Sequence, residues 1–338
     1  MTVKIGINGF GRIGRMVLRA LHESNRSDLE VVAINDLAPF KTSVHLLRYD
    51  SVHGPFPFPV LFDESSQTLV IQGKKTHVTS EPRPENILWK EWEVDVVLEC
   101  SGIFTQREKA SAHLKGGAKK VLISAPAENV DKTIVYGINH QTLTPQDTIV
   151  SNASCTTNCL SPVAKVLEEL VGIAKGYMTT IHSYTGDQHL IDTNHKDLHR
   201  ARAGAINMIP TSTGAAKAIG FVLPSLTGKL DGVAIRVPTP NVSMIDLTFV
   251  SNRSTTPEEI NQAFLQAAHG SLKGIMDTTD LPLVSSDFNH NPHSSIVDLT
   301  QTSVIQDNFC RVVSWYDNEW GFSNRMLDTA AAMGSMGK

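Results

Sequence analysis

The stretch SNASCTTNC (151–159) sets two cysteines four residues apart among hydroxyl and amide side chains. Four uses are open to such a pair: a metal clip, a disulfide, a reactive thiol, or a small-residue helix start. No second close Cys or His pair offers the ligand spacing of a structural zinc site, so no metal is expected. Four cysteines (Cys100, Cys155, Cys159, Cys310) in 338 residues do not make a disulfide framework either. A strand-like run precedes Cys155 and a helical pattern comes after it, which places this thiol at a helix N-terminus. There the helix dipole favours the thiolate and is expected to lower the thiol pKa. Cys159, one turn further in on the same face, reads as a packed thiol. A thiol nucleophile needs a base. His182 in TTIHSYT, 27 residues on and near the end of a predicted strand, is the candidate among thirteen histidines.

A second chemical pattern lies at the start of the chain. INGFGRIG carries Gly9, Gly11 and Gly14 in G-x-G-x-x-G spacing, after the strand-like VKIGI and before a helical stretch over 12–22. Gly9 permits the tight turn, Gly11 lets backbone approach a pyrophosphate, and Gly14 allows close helix–strand packing. The helix N-terminus supplies free N–H groups for the anion, with Arg12 adding charge nearby. Asp36 ends the next strand-like run, 22 positions past Gly14. Its carboxylate suits two ribose hydroxyls and would repel a 2′-phosphate, which favours NAD over NADP.

A thiol together with a nicotinamide points to aldehyde oxidation. The thiolate adds to the carbonyl, hydride leaves, and a thioester remains. PTSTGAAKA (210–218) places Thr211, Ser212, Thr213 and Gly214 before a predicted helical run, where a helix cap or an anion site is possible. SYTGDQ (183–188) and Arg236, isolated in an apolar strand, add anion-binding capacity; such an arginine needs a carboxylate or a bound phosphate as partner. The basic run HKDLHRAR (195–202) is either a solvated face or part of the same surface.

These groups need a frame. Apolar residues at 41%, charged residues at 19% and a net charge of −4 fit a globular protein with no electrostatic reason to bind nucleic acid. No apolar run reaches the ~20 residues of a membrane helix, and MTVKIGINGFGRIG lacks the pattern of a signal peptide, so the cytoplasm is the expected compartment. VKIGI (3–7), VVAIN (31–35), VDVVLEC (94–100), KVLIS (120–124) and DTIVS (147–151) read as strands buried on both faces. PFPFP (55–59) cannot join a central ladder and reads as a surface excursion. After a helix over 155–171 come alternating strands at 176–184, 233–238, 243–250 and 309–316, with a capped helix from Pro257 and a last helix over 324–334. The predicted fold class is α/β: a Rossmann-type doubly wound parallel sheet, then an α+β catalytic domain with a mostly antiparallel sheet. The expected division is 1–151 for the dinucleotide-binding domain, with the C-terminal helix 318–338 packing back on it, and 152–317 for the catalytic domain.

INGFGRIGR, SNASCTTNC, HSYTGDQ, PTSTGAAKA, RVPTPNVS and WYDNEWGFSNRM together resemble the phosphorylating glyceraldehyde-3-phosphate dehydrogenases over nearly the whole chain. The resemblance implies oxidation of glyceraldehyde 3-phosphate, with NAD and inorganic phosphate, to 1,3-bisphosphoglycerate. Cys155 is then the nucleophile and His182 its base. Thr185, Asp187 and Arg236 hold the substrate's C3 phosphate, and Ser154, Thr156, Arg200, Thr213 and Gly214 hold the attacking phosphate. Asn318 holds the nicotinamide carboxamide; Asn8, Arg12, Ile13, Asp36, Ser101 and Ser124 line the cofactor. The family also implies a homotetramer, with the loop near 184–206 inserted between subunits.

Three positions depart from the family pattern. Thr193-Asn194 stand where many NAD-specific members have Leu-Pro and resemble members that accept NADP. His199 replaces a common arginine, and Phe322 a frequent tyrosine. The competing readings are an erythrose-4-phosphate dehydrogenase of the same fold, which DFNHNPHSS (287–295) resembles, and a non-redox thiol hydrolase or acyltransferase. The second leaves the Gly9–Asp36 unit without a purpose.

Overall fold

A computed structural model describes residues 2–336. The chain divides into two compact units, Met1–Ala153 with Ser323–Lys338, and Ser154–Phe322. Met1, Gly337 and Lys338, which the expected boundaries include, lie outside the described residues.

The first unit is built on a nine-stranded sheet. Its order runs Lys132–Thr133, Ile149–Ser151, Lys120–Ile123, Val96–Glu99, Val3–Asn8, Leu29–Asn35, Lys74–Thr79, Thr68–Ile71, Val60–Asp63. The first seven are parallel; the last two joints are antiparallel. Val96–Glu99 and Lys120–Ile123 are buried at every residue, as strands covered on both faces must be. The meander over 60–79 is an addition that sequence periodicity did not suggest, since its strands are short and carry polar residues on one face. The expected surface excursion at 55–59 is only half so: Phe56 is buried, with the Arg19 guanidinium 5.3 Å from its ring centre. Prolines bar a ladder, but they do not bar an aromatic ring between them from packing.

Arg12–Glu23 is the first helix, and its glycines differ in what they permit. Gly9 has φ +89°, the left-handed turn that admits the chain to the helix. A Cβ on Gly14 would stand 2.2 Å from the Gly9 carbonyl oxygen, whereas one on Gly11 would meet nothing within 4 Å. The last helix spans Trp320–Ser335, longer than the expected 324–334 because Asp317 caps it, its Oδ1 accepting from the Glu319 and Trp320 N–H groups at 2.9 and 2.7 Å. Within the first unit its residues meet the sheet: Lys120 Nζ donates to the Met333 carbonyl at 2.9 Å, and Thr329 Oγ1 to Asn152 Oδ1 at 2.8 Å.

The second unit carries an eight-stranded sheet. Its path is Ile209–Ser212, Leu230–Val237, Ile173–Ser183, Ser243–Ser251, Phe309–Tyr316, Ser295–Asp298, Met276–Thr279, with Ser303–Ile305 beside Phe309–Tyr316. Most joints are antiparallel, but Ile173–Ser183 runs parallel to Leu230–Val237. Ser243–Ser251 alternates strictly between buried and half-buried residues. The helix Cys155–Leu170 packs against this sheet and against Pro257–His269, which Thr256 caps. The expected helix at Thr213 is absent: Thr211 and Ser212 belong to a strand, turns come next, and the helical residues are Ile219–Val222.

Gly14→Ala should lower Tm by at least ~5 °C, because backbone blocks the added Cβ on a packed helix, while Gly11→Ala should shift it by less than ~2 °C. Thermal unfolding monitored by circular dichroism checks the pair, and equal shifts would refute the assignment of roles.

Candidate active site

At the ends of the central parallel strands, a cavity of about 300 Å³ is lined by Asn8, Gly9, Gly11, Asp36, Ser101 and neighbours. Asp36 is fixed at its rim: its carboxylate accepts from the Phe10 N–H and from the Ala38 N–H, the latter at 2.7 Å. The first-turn N–H groups of the Arg12 helix have no intrahelical acceptor, and the empty volume in front of Gly11 leaves them room for a pyrophosphate. Arg12 contributes less charge than expected, because its guanidinium is ion-paired with Asp50. Ser101 lines the cavity, whereas Ser124 comes just after the adjacent strand and donates its N–H to the Glu99 carbonyl at 3.0 Å. Ile13 sits in the helix's first turn. These donors, the ribose-type carboxylate and the Cβ-free approach fit a dinucleotide.

The sequence reading missed the carboxylate that holds two side chains of this cavity's lining. Glu99, 1% exposed, accepts from Asn8 Nδ2 at 2.6 Å, from the Ser101 N–H at 2.8 Å, from the Ser101 hydroxyl, and from His113 Nε2 at 2.8 Å. Trp89 Nε1 donates to His113 Nδ1 at 3.1 Å, which puts the imidazole proton on Nε2. Every lone pair of a buried carboxylate is thus used, and two cavity-lining side chains are fixed by it. An acid ending an otherwise apolar strand, LEC, was the available clue.

In the second unit, Ser154 caps the Cys155 helix, its hydroxyl accepting from the Thr157 N–H at 3.0 Å. Just before it, Ala153 is buried and takes φ +58°, a left-handed conformation that costs an L-residue about 1–2 kcal/mol. Cys155 Sγ lies 3.5 Å from His182 Nε2. The parallel register pairs His182 with Arg236, so the two side chains share a face of the sheet. His182 Nδ1 is 2.7 Å from the Ser183 carbonyl oxygen and 2.7 Å from Arg236 NH1, which itself donates to that oxygen at 3.1 Å. The Ser183 carbonyl can only accept and the Arg236 guanidinium can only donate, so the two neighbours of Nδ1 call for opposite tautomers; the one with Nδ1–H toward Ser183 is the one that leaves Nε2 free to take the thiol proton. Burial, and then the Arg236 charge, push His182 down to about 3, so the ring is neutral. Burial also raises the Cys155 thiol, against the pull of Arg236 and of the Thr156 hydroxyl and N–H. The expected lowering by the helix start is therefore outweighed in the ligand-free protein. Cys159, fully buried against Ser295 and Ser314, is pushed up to about 12.

Arg236 Nε is buried without a partner, an orphaned donor beside the thiol. Arg200 ion-pairs with Asp187 at 2.5 Å and reaches the Ser212 carbonyl, and both charges act on Arg236. Thr185 is tied into the same turn, its N–H donating to Gln188 Oε1 at 3.0 Å. Thr213 accepts from the Ala215 N–H, and Thr157 Oγ1 donates to the Ala215 carbonyl, which brings the 213–215 turn to the helix start; Gly214 faces open space. The Thr156 hydroxyl lies 2.9 Å from Tyr316 Oη, and both that hydroxyl and the Thr156 N–H act on the thiol. Tyr316, another missed residue, edges the His182 ring at 5.9 Å. Among the described residues no cluster could hold a metal ion, and no helix is long and apolar enough to cross a membrane.

A dinucleotide cradle in the first unit and, in the second, a thiol 3.5 Å from a neutral imidazole are the parts of a thiol-dependent dehydrogenase. The family profile described as glyceraldehyde 3-phosphate dehydrogenase, NAD binding domain, matches residues 3–107, and that of the C-terminal domain matches 154–318. The chain is 62% identical to the glyceraldehyde-3-phosphate dehydrogenase of Xanthobacter flavus over the full length of both, and 61% identical to that of Cereibacter sphaeroides, covering 99% of this chain and all of the other. The chain belongs to the glyceraldehyde-3-phosphate dehydrogenase family, and it is an NAD-dependent dehydrogenase.

A His182 pKa near 3, below the ordinary 6.5, means that the unfolded chain takes up this proton first as pH falls. The stability gained by keeping the ring neutral is complete above about pH 6.5 and is lost progressively toward pH 3. His182→Asn should therefore show a smaller drop in denaturant-unfolding free energy between pH 7 and about pH 4.5 than the parent. Identical pH dependence in the two proteins would contradict the burial of a neutral imidazole.

Proposed function

We propose that this chain converts glyceraldehyde 3-phosphate, NAD and inorganic phosphate reversibly to 1,3-bisphosphoglycerate and NADH. The observation that carries the reading is the 3.5 Å approach of Cys155 Sγ to His182 Nε2 beside the orphaned donor of Arg236. Cys155 Sγ adds to the aldehyde carbon while His182 Nε2 takes the thiol proton. His182 returns that proton to the carbonyl oxygen, which gives the hemithioacetal, and then takes the resulting hydroxyl proton as the carbon is oxidised to a thioester on Cys155. NAD, when bound, supplies the hydride acceptor. Inorganic phosphate then attacks the thioester carbon, and the Cys155 sulfur leaves.

Two guanidinium groups serve two phosphates. Arg236, with Thr185 and with Asp187 acting through its ion pair, holds the C3 phosphate. Arg200, with Ser154, Thr156, Thr213 and Gly214, holds the attacking one. Asp187 suits an orienting role, since a carboxylate repels phosphate and its pairing with Arg200 and His195 holds it ionised against the effect of burial. Asn8, Gly9, Gly11, Arg12, Ile13, Gly14, Asp36, Ser101 and Ser124 bind the cofactor, and Asn318 takes the nicotinamide carboxamide. Asp36 favours NAD, while Thr193-Asn194 leave room for NADP. The enzyme works in the cytoplasm as a homotetramer. The loop near 184–206 supports that assembly: Leu190, Ile191, Leu198 and Ile206 are 75–82% exposed on a single chain.

Purified protein should reduce NAD with glyceraldehyde 3-phosphate and slow sharply when phosphate is withheld. Cys155→Ser should abolish the oxidation, a loss of at least ~10⁴-fold, while Cys159→Ser keeps most of it. Steady-state assays with both sugars and both cofactors decide the matter. Phosphate-independent rates, or a preference for erythrose 4-phosphate, would sink the reading.

A further inference from the structure

Asn318 is 7% exposed, and its side-chain amide has a one-sided environment. Ser183 Oγ donates to Asn318 Oδ1 at 2.9 Å, and Ser243 Oγ donates to the same oxygen at 2.8 Å. Both serines are buried, at 0% and 1% exposure. An amide oxygen has two lone pairs, so these two hydroxyls saturate it. The opposite orientation of the amide is disfavoured by proton accounting. Ser243 Oγ already accepts the Ser183 N–H at 3.0 Å, and its nearest other acceptor is Ser183 Oγ at 3.5 Å. With Asn318 Nδ2 turned inward, two buried hydroxyl protons would lose their acceptor, which is expensive. Nδ2 is left facing outward; among the described residues it meets no acceptor, yet it is not enclosed.

We propose that Ser183 and Ser243 are positioning residues that make Asn318 a pure donor, so that the nicotinamide carboxamide is recognised through its carbonyl oxygen and not through its amino group. This rests on the reading that Asn318 faces the carboxamide. The same Ser183 offers its carbonyl to His182 Nδ1, so one residue touches both the base and the amide.

The consequence is a specificity that affinity alone reveals. A cofactor with an acetyl group in place of the carboxamide keeps the carbonyl and lacks the amino group. Calorimetric titration of the full chain should give NAD and the 3-acetylpyridine analogue Kd values within about threefold of each other. In Ser183→Ala the amide is released and can turn to accept from the amino group, so the ratio should move about two- to tenfold in favour of NAD. Asn318→Asp, which presents only an acceptor, should move it further in the same direction. Ser243→Ala offers a second route to the same shift should Ser183→Ala fail to fold. A merely structural serine would weaken both ligands together and leave the ratio unmoved.

Discrimination of tenfold or more by the parent protein, or an unmoved ratio in the serine and aspartate variants, would overturn the proposal. Asn318→Ala separates the two levels. If it weakens both ligands while the other ratios stay fixed, the donor clamp alone is wrong. If it changes neither Kd, the carboxamide is not at Asn318 and the inference falls with that reading.

Discussion

The parallel pairing of Ile173–Ser183 with Leu230–Val237 is the constraint on which the reactive chemistry rests. In a parallel ladder, partners in register point to the same face, so pairing His182 with Arg236 sets an imidazole beside a guanidinium. A slip of one residue would turn His182 to the opposite face and replace it with Ile181 or Ser183. The register is secured from the other side as well, because Ser243–Ser251 pairs with the same strand along most of its length and alternates buried with half-buried residues. The base, its field and its anion-binding neighbour are therefore a single structural decision.

That arrangement places opposed demands on Cys155. Burial disfavours a thiolate, while Arg236 and the helix start favour one. The same guanidinium discourages a proton on His182. In the ligand-free protein, burial dominates both groups, and the pair stays neutral. An anion brought to Arg236 alters the field on sulfur and on nitrogen together, which couples occupancy of the phosphate position to the state of the nucleophile.

Much of this was legible in the residues. Gly9, Gly11, Gly14 and Asp36 form a local pattern, and a strand–turn–helix is specified by residues close in sequence. Cys155 at a helix start is local too, since Ser154 caps the helix that begins with it. The partnership of Cys155 with His182 was a guess from residue type, because pairing strands far apart in sequence is not written in either strand. Glu99 and His113 were invisible for the same reason: their meaning lies in donors drawn from segments distant along the chain. The expected helix after Thr213 failed because its hydroxyls satisfy turns as well as caps, and the pairing of Ile209–Ser212 with Leu230–Val237 decided between them.

Ala153 carries a last consequence. Its backbone occupies the narrow left-handed well, where an alanine has far fewer neighbouring conformations than a glycine. The Ser151 hydroxyl accepts its N–H at 3.0 Å, and Ser154 next to it caps the helix that starts at Cys155. The sulfur thus hangs from a segment with little slack on either side. During turnover the aldehyde must come to a stationary sulfur and the phosphate to the acyl carbon held on it, and whatever adaptability the cycle needs is carried by substrates and surrounding side chains rather than by the nucleophile's own backbone.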